Sequence, residues 1–215
     1  MPAGLQVINS FGTIQIDENW KNYGFRQHVD FSISISLPAL NPFIEYVLTV
    51  PGQMAMIAIK CSIFCPIILS SYFDGANFVF KILFMPPNAA GTHSETVRVY
   101  VFDVPPSGGF SNVGLEVFDS AGQRVYHSDV DVMKIAGVQA CSTPFYGVSG
   151  RSYAPIIAIP PFFKEPGSGF VYSWGVQTFG SNLIPLQTLA ARYVAPFSGS
   201  GGPGLYAAVD VTDYP

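Results

Sequence analysis

The stretch HVDFSISISL, residues 28–37, decides the fold class. Val29, Phe31, Ile33, Ile35 and Leu37 alternate with Asp30, Ser32, Ser34 and Ser36. A period of two puts the apolar set on one face of an extended chain and the polar set on the other. The segment reads as a half-buried β-strand. Similar runs follow: IEYVLTV from Ile44, MAMIAIKCSIF from Met54, FVFKILFM from Phe78 and TVRVYVFDV from Thr96. The second half adds SYAPIIAI from Ser152, FVYSWGVQTF from Phe170, LQTLAARYV from Leu186 and LYAAVDV from Leu205. No sustained 3.6-residue period occurs, and 21 Gly and 18 Pro punctuate the runs. Many short strands between turn residues predict an all-β chain built as antiparallel β-sandwiches.

Two stretches echo one another: GLQVINSFGTIQID from Gly4 and GLEVFDSAGQRVYH from Gly114. In each, an Asx residue (Asn9, Asp119) opens a turn that a glycine (Gly12, Gly122) closes. That pattern suits a type I turn followed by a left-handed residue, a common hairpin connection. Leu5 and Val7, like Leu115 and Val117, are expected on the buried face of the first strand. Further echoes fall at nearly the same offset: Val50–Pro51 with Ile159–Pro160, Pro87 with Pro196, and Asp103 with Asp210. The expectation is an internal duplication giving two tandem β-sandwich domains. Residues 1–106 would open with the hairpin 4–17, and residues 107–215 with the hairpin 114–127. One large β domain is the alternative.

Charged residues make up only 11% of the 215, with a net charge of −4, against about 25% in an ordinary globular chain. Either a polar surface of Ser, Thr, Asn, Gly and Pro keeps such a chain soluble, or other subunits cover much of it, since interface cores are poor in charge. Ten scattered Lys and Arg could not neutralise a run of phosphates, so nucleic acid is not an expected partner. The N-terminus lacks a basic region followed by an apolar core, and no signal peptide is expected. Residues 54–73 are the most apolar stretch but contain Lys60 and Pro66; buried strands explain them better than a membrane span. Cys61, Cys65 and Cys141 are expected as buried free thiols, because two cysteines four apart in one strand stand too far apart to bridge.

No catalytic constellation emerges. No serine sits in a G-x-S-x-G elbow, and the glycine-rich SGSGGPG from Ser198 lacks the Lys-Ser/Thr of a phosphate loop. His93 falls in an expected loop. Asp129 and Asp131 would share a strand face at about 7 Å, but two carboxylates alone make a poor metal site or acid pair. No cofactor, metal or enzymatic activity is expected; a hydrolase is the weakest reading. Aromatic residues among small polar ones are the better candidates for contact with a subunit or a receptor: Trp20, Tyr23 and Phe25 after the first hairpin, and Phe145, Tyr146 and Tyr153 in the second half.

The N-terminal segment resembles small bacteriophage tail-associated proteins that begin GLQV-N--G--QID-N--N. Gly4, Leu5, Gln6, Val7, Asn9, Gly12, Gln15, Ile16, Asp17, Asn19 and Asn22 carry the match. The second hairpin is similar to the GL-VFD--G--VF-S phrase of related tail proteins through Gly114, Leu115, Val117, Phe118, Asp119, Gly122, Val125 and Ser128. Tyr126 replaces the usual Phe. The resemblance implies a β-rich structural virion component of the distal tail, at the tail tip, baseplate or fibre base, assembled in the bacterial cytoplasm. Its expected partners are other tail proteins and further copies in a symmetric array, with a host surface receptor as a further one. The rival reading is a receptor-binding module for a host glycan or pilus.

Overall fold

The structure, a computed structural model, describes residues 6–8, 14–17, 22–37, 43–87, 90–105, 108–159, 162–164, 171–190 and 204–215. These residues form β-strands and no helix, so none of them forms a helix long and apolar enough to cross a membrane. In the first half the strands are β1 (Gln6–Ile8), β2 (Ile14–Asp17), β3 (Gly24–Leu37), β4 (Ile44–Pro51), β5 (Met56–Lys60), β6 (Cys65–Phe73), β7 (Asn77–Met85) and β8 (Gly91–Asp103). In the second they are β9 (Glu116–Phe118), β10 (Arg124–His127), β11 (Ile135–Ala140), β12 (Phe145–Tyr146), β13 (Tyr153–Ile159), β14 (Phe162–Lys164), β15 (Val171–Phe179), β16 (Asn182–Ala190) and β17 (Leu205–Asp210). Every strand pairing is antiparallel.

Each half contains a hairpin and two sheets. The first half has an inner sheet β3-β8-β5 and an outer sheet β4-β7-β6; the second has an inner sheet β11-β17-β13 and an outer sheet β12-β16-β15-β14. Replacing β3 to β8 by β11, β12, β13, β15, β16 and β17 turns the first order into the second, with β14 added at an edge. One echo in the sequence falls at equivalent places, with Asp103 and Asp210 ending β8 and β17; of the second pair Pro87 precedes β8, and Pro196 lies outside the described residues. The third does not. Pro51 ends β4, whereas Pro160 follows β13, the counterpart of β5. An apolar residue before proline is a frequent strand ending, and this echo is one of composition.

Alternation assigns the faces. Val97, Val99 and Val101 of β8 point to the first outer sheet, where they pack with Ile33, Leu48, Val50, Ile57, Ile59, Phe80, Ile82 and Phe84. Val29, Phe31 and Ile35 join that core as the period-two reading requires. Tyr100 and Phe102 point the opposite way. Together with Ala58 they meet Ala154, Ile156, Ala207, Val209, Val211 and Tyr214 of the second half. Tyr206 and Ala208 of β17 turn instead to Val176 and Leu183 of the second outer sheet. The layers run outer, inner, inner, outer, and β17 and the end of β8, from Val99, are buried on both faces. That double burial is why Val99–Phe102 and Tyr206–Val209 read as unbroken apolar runs.

The outer sheet of the second half also reaches the first half. The Thr178 N–H donates to the Cys61 carbonyl at 2.8 Å, and Gln177 Nε2 donates to the Ile63 carbonyl at 2.7 Å. Gly175 permits the approach, since a Cβ there would lie 2.2 Å from Cys65 Sγ and 2.7 Å from the Pro66 carbonyl oxygen. Cys61 and Cys65 flank the turn 61–64 and do not share a strand.

The second hairpin turns as its sequence dictates. Asp119 Oδ1 accepts the N–H groups of Ala121 and Gln123 at 2.9 and 2.8 Å, and Gly122 takes φ 73°. The corresponding turn of the first hairpin lies outside the described residues. Three local expectations need correction. Leu115 is exposed, because pairing starts at Glu116 and only Val117 and Val125 meet. His93 belongs to β8 and not to a loop: β3 is long enough to pair it with Ile35. Asp129 and Asp131 flank a turn and not a strand, with the Val130 N–H closing onto the His127 carbonyl at 3.0 Å.

The counterpart aspartates do the same mechanical work in both halves. Asp103, buried, accepts the N–H groups of Gln53 (2.8 Å), Met54 (2.9 Å) and Val104 (2.7 Å), tying the end of β8 to the loop between β4 and β5. Asp210, also buried, accepts from Thr212 and pairs with Arg151 in the loop between β12 and β13. Asp103→Ala strips three N–H groups of their acceptor and should cost about 2–3 kcal/mol in urea denaturation. Asp103→Asn, which keeps one carbonyl oxygen, should cost less than the alanine variant. A loss below about 0.5 kcal/mol for Asp103→Ala would contradict this role.

Candidate functional site

The six aromatic candidates separate once placed in the fold. Trp20 lies outside the described residues. Phe25 stacks on Tyr214 at 4.9 Å and meets Phe102 edge-on at 6.1 Å, so it belongs to the core between the inner sheets. Tyr23 packs against the same core. Tyr153 is 2% exposed, its hydroxyl accepts the Val148 N–H at 3.3 Å, and Phe145 meets its ring edge-on at 5.1 Å. Of the five described, only Tyr146, 73% exposed, offers its ring to solvent. Phe25, Phe145 and Tyr153 enter the starts of strands, where the first inward position is core.

Two clefts gather polar side chains. The first, about 530 Å³, lies between the loop 108–112 and the second hairpin. Phe110 lies flat on His127 at 4.4 Å, and the Arg124 guanidinium covers Phe110 at 4.7 Å. Arg124 also pairs with Glu116 at 2.8 Å. The buried His127 accepts the Asp129 N–H on Nδ1 at 3.0 Å, which leaves Nε2 as the donor facing Glu116 Oε1 at 3.3 Å. Ser111 does not complete a nucleophile–base pair, because its hydroxyl donates to the Val113 carbonyl at 2.7 Å. The cluster clamps the loop onto the hairpin.

The second cleft, about 410 Å³, opens between the first inner sheet and the turn after β15; Asp30, Lys60, Ser62, Glu95, Thr96 and Arg98 line it with Thr178 and Gly180. Asp30, Arg98 and Lys60 form one row across β3, β8 and β5. Arg98 grips Asp30 with two hydrogen bonds, 2.8 and 2.7 Å, and holds that carboxyl below its ordinary pKa. Lys60 Nζ donates to Ser152 Oγ at 2.7 Å, across the two halves. Glu95 organises the turn 61–64, accepting from the Ser62 N–H and hydroxyl (both 2.6 Å), the Ile63 N–H (2.8 Å) and the Cys61 thiol (3.0 Å). Beyond the cleft, the polar face of β3 and β8 is a hydroxyl ladder, with Ser32 facing Thr96 and Ser36 facing Thr92.

Among the described residues, no group of three His, Cys, Asp or Glu is placed to hold a metal ion. All three cysteines are free and buried. Burial pushes the thiol of Cys65 up to about 12 and that of Cys141 up to about 11, so both stay protonated at neutral pH.

Sequence patterning missed the exposed apolar side chains at strand ends and in the adjoining loops, among them Tyr72, Phe73 and Phe179, and Met54 and Val148. Tyr72, Phe73 and Phe179 end strands, and composition alone does not separate them from core.

Burial raises the Glu95 pKa, but the hydrogen bonds from Ser62, Cys61 and Ile63 outweigh it and leave the value below that of a free glutamate. The ionised form therefore stabilises the fold above the unfolded-state pKa, and this contribution fades as pH falls through the folded-state value. Glu95→Gln should lower the denaturation midpoint at pH 7, and the gap from wild type should shrink on acidification. A gap constant from pH 7 to pH 3 would rule the assignment out. Comparison with protein-family models, with curated proteins and with solved structures finds no match to this chain.

Proposed function

We propose that the chain is a structural protein of a bacteriophage tail, positioned near the tail tip, baseplate or fibre base, and that it assembles with symmetric neighbours. The observation that carries this reading is large apolar side chains left in solvent at several strand ends of a charge-poor all-β chain. Surfaces of that kind suit burial against other subunits. The two hairpin phrases that resemble tail proteins supply the viral context. The His127 cleft is consistent with a scaffold, since its charged groups are spent on one another.

A second reading, a receptor-binding module for a host glycan or pilus, is favoured by the Glu95 cleft. Its two acids and two bases balance, and hydroxyls surround them, a lining suited to a neutral polyol. Tyr146, in the second half, offers a stacking surface.

Proximity crosslinking of intact particles, read by mass spectrometry, tests the first reading. Crosslinks from this chain to other tail proteins are expected; a chain absent from purified particles would refute it. A glycan array with Trp20→Ala and Tyr146→Ala tests the second. Binding that survives both substitutions would remove those residues as the receptor contact.

A further inference from the structure

The repeated strand order allows each half to be checked against the other, and one surface feature occurs in both. The turn between β6 and β7 reads FDGAN from Phe73, and its counterpart between β15 and β16 reads FGSN from Phe179. Each turn uses a positive-φ glycine, Gly75 at 101° and Gly180 at 58°. Each leaves its phenylalanine in solvent, 50% exposed at Phe73 and 53% at Phe179. The neighbouring loop repeats the pattern. Pro51 pairs with Asn77, which brings the β4–β5 loop and its exposed Met54 beside the first turn. Tyr146 pairs with Asn182, which brings the β12–β13 loop and its exposed Val148 beside the second. Tyr146, in one row with Asn182 and Phe179, extends the second patch.

None of these side chains is a member of a buried cluster of the described residues, and Phe73 meets the first core only at its rim, where its ring lies 5.3 Å from that of the partly buried Phe78. The patches also stand apart. The first lies before the start of β5, while the hydrogen bonds from Lys60 to Ser152 and from Thr178 to Cys61 hold the second beside the end of β5. Their charges differ. Asp74, fully solvated, adjoins Phe73, and its carboxylate accepts only from the turn residues Ala76 and Asn77. Arg151, half exposed, adjoins Val148 and has guanidinium donors beyond the one given to Asp210. Arg26, at the same end of the first inner sheet as Asp103 and the β4–β5 loop, is bound to the Val104 carbonyl at 2.6 Å.

We propose that the patch at Phe73, Met54 and Asp74 of one copy docks on the patch at Phe179, Val148 and Arg151 of a second copy. Apolar surface meets apolar surface, and acid faces base. Because the two patches are different and separate, the contact is heterologous, and each docked pair keeps one free patch of each kind. Such contacts build rings when the rotation closes and filaments when it does not. The proposal rests on the assembly reading above but not on its viral context.

Sedimentation velocity of the pure chain over a concentration series tests it. Wild-type protein should self-associate, and Phe73→Asp or Phe179→Asp alone should each weaken association at least about tenfold. An equimolar mixture of the two variants should recover a one-to-one dimer, because each brings the patch that the other has lost. Unchanged thermal melting would show that both variants fold. If a variant misfolds, Ala76→Cys and Ser149→Cys serve instead, both at exposed positions: oxidation of their mixture should give the mixed disulfide dimer, and neither alone should give a disulfide-linked dimer. A wild-type chain monomeric throughout, variants that associate normally, or a mixture without recovery would each overturn the proposal. A monomeric chain that still crosslinks to tail proteins in particles would overturn it and leave the tail reading standing.

Discussion

The contact between the two inner sheets is the constraint on which the rest depends. Tyr100, Phe102 and Ala58 of one half, and Ala207, Val209, Ile156 and Tyr214 of the other, have no water-facing alternative once β8 and β17 are central strands. Burying both faces of a strand requires apolar residues at successive positions, so the chain gives up the polar face that a free sandwich would show. Small residues at Ala58, Ala154 and Ala207 let the backbones approach, and the rings of Phe25, Tyr100, Phe102 and Tyr214 fill the remaining space. The backbone bonds from Met133 to Tyr23 (2.8 Å) and from Phe25 to Asp131 (2.7 Å) then fix the start of β3 against the second half.

How much of this was legible depended on whether a signal was local. The alternation in residues 28–37 placed β3 and its buried face correctly because one side of the strand faces a single core. The Asp119–Gly122 turn was legible because its side chain and its glycine act within four residues. The repeat was only partly so: Asp103 and Asp210 align because both end a central strand and hold a loop, while Pro51 and Pro160 align through strand-end composition. The aromatic candidates were the least legible. Tyr153 and Tyr146 are seven residues apart, yet one is core and the other is solvent-facing, a difference set by which sheet lies over each strand. The Glu95 cluster gave no sequence signal, because its partners at 61–63 come from a turn more than thirty residues away.

Scaffold and surface divide cleanly in this chain. Charged groups are few, and most of the described ones hold structure: Glu95 the turn, Asp103 and Asp210 the strand ends, Arg124 and Glu116 the hairpin. What is left for recognition is apolar or hydroxyl-bearing, and it sits on turns between strands, where a rigid sandwich presents it without distortion.

The claim that most of the structure rests on is that the two halves form one cooperative unit through their inner sheets. Native-state hydrogen exchange measures it directly, through the opening free energies of amides in β8 and β17. Both strands should exchange only through global unfolding, with matching free energies and matching denaturant dependence. Exchange of one half's central strand through an opening several kcal/mol cheaper than the other's would show that the halves fold separately, and would contradict the shared core.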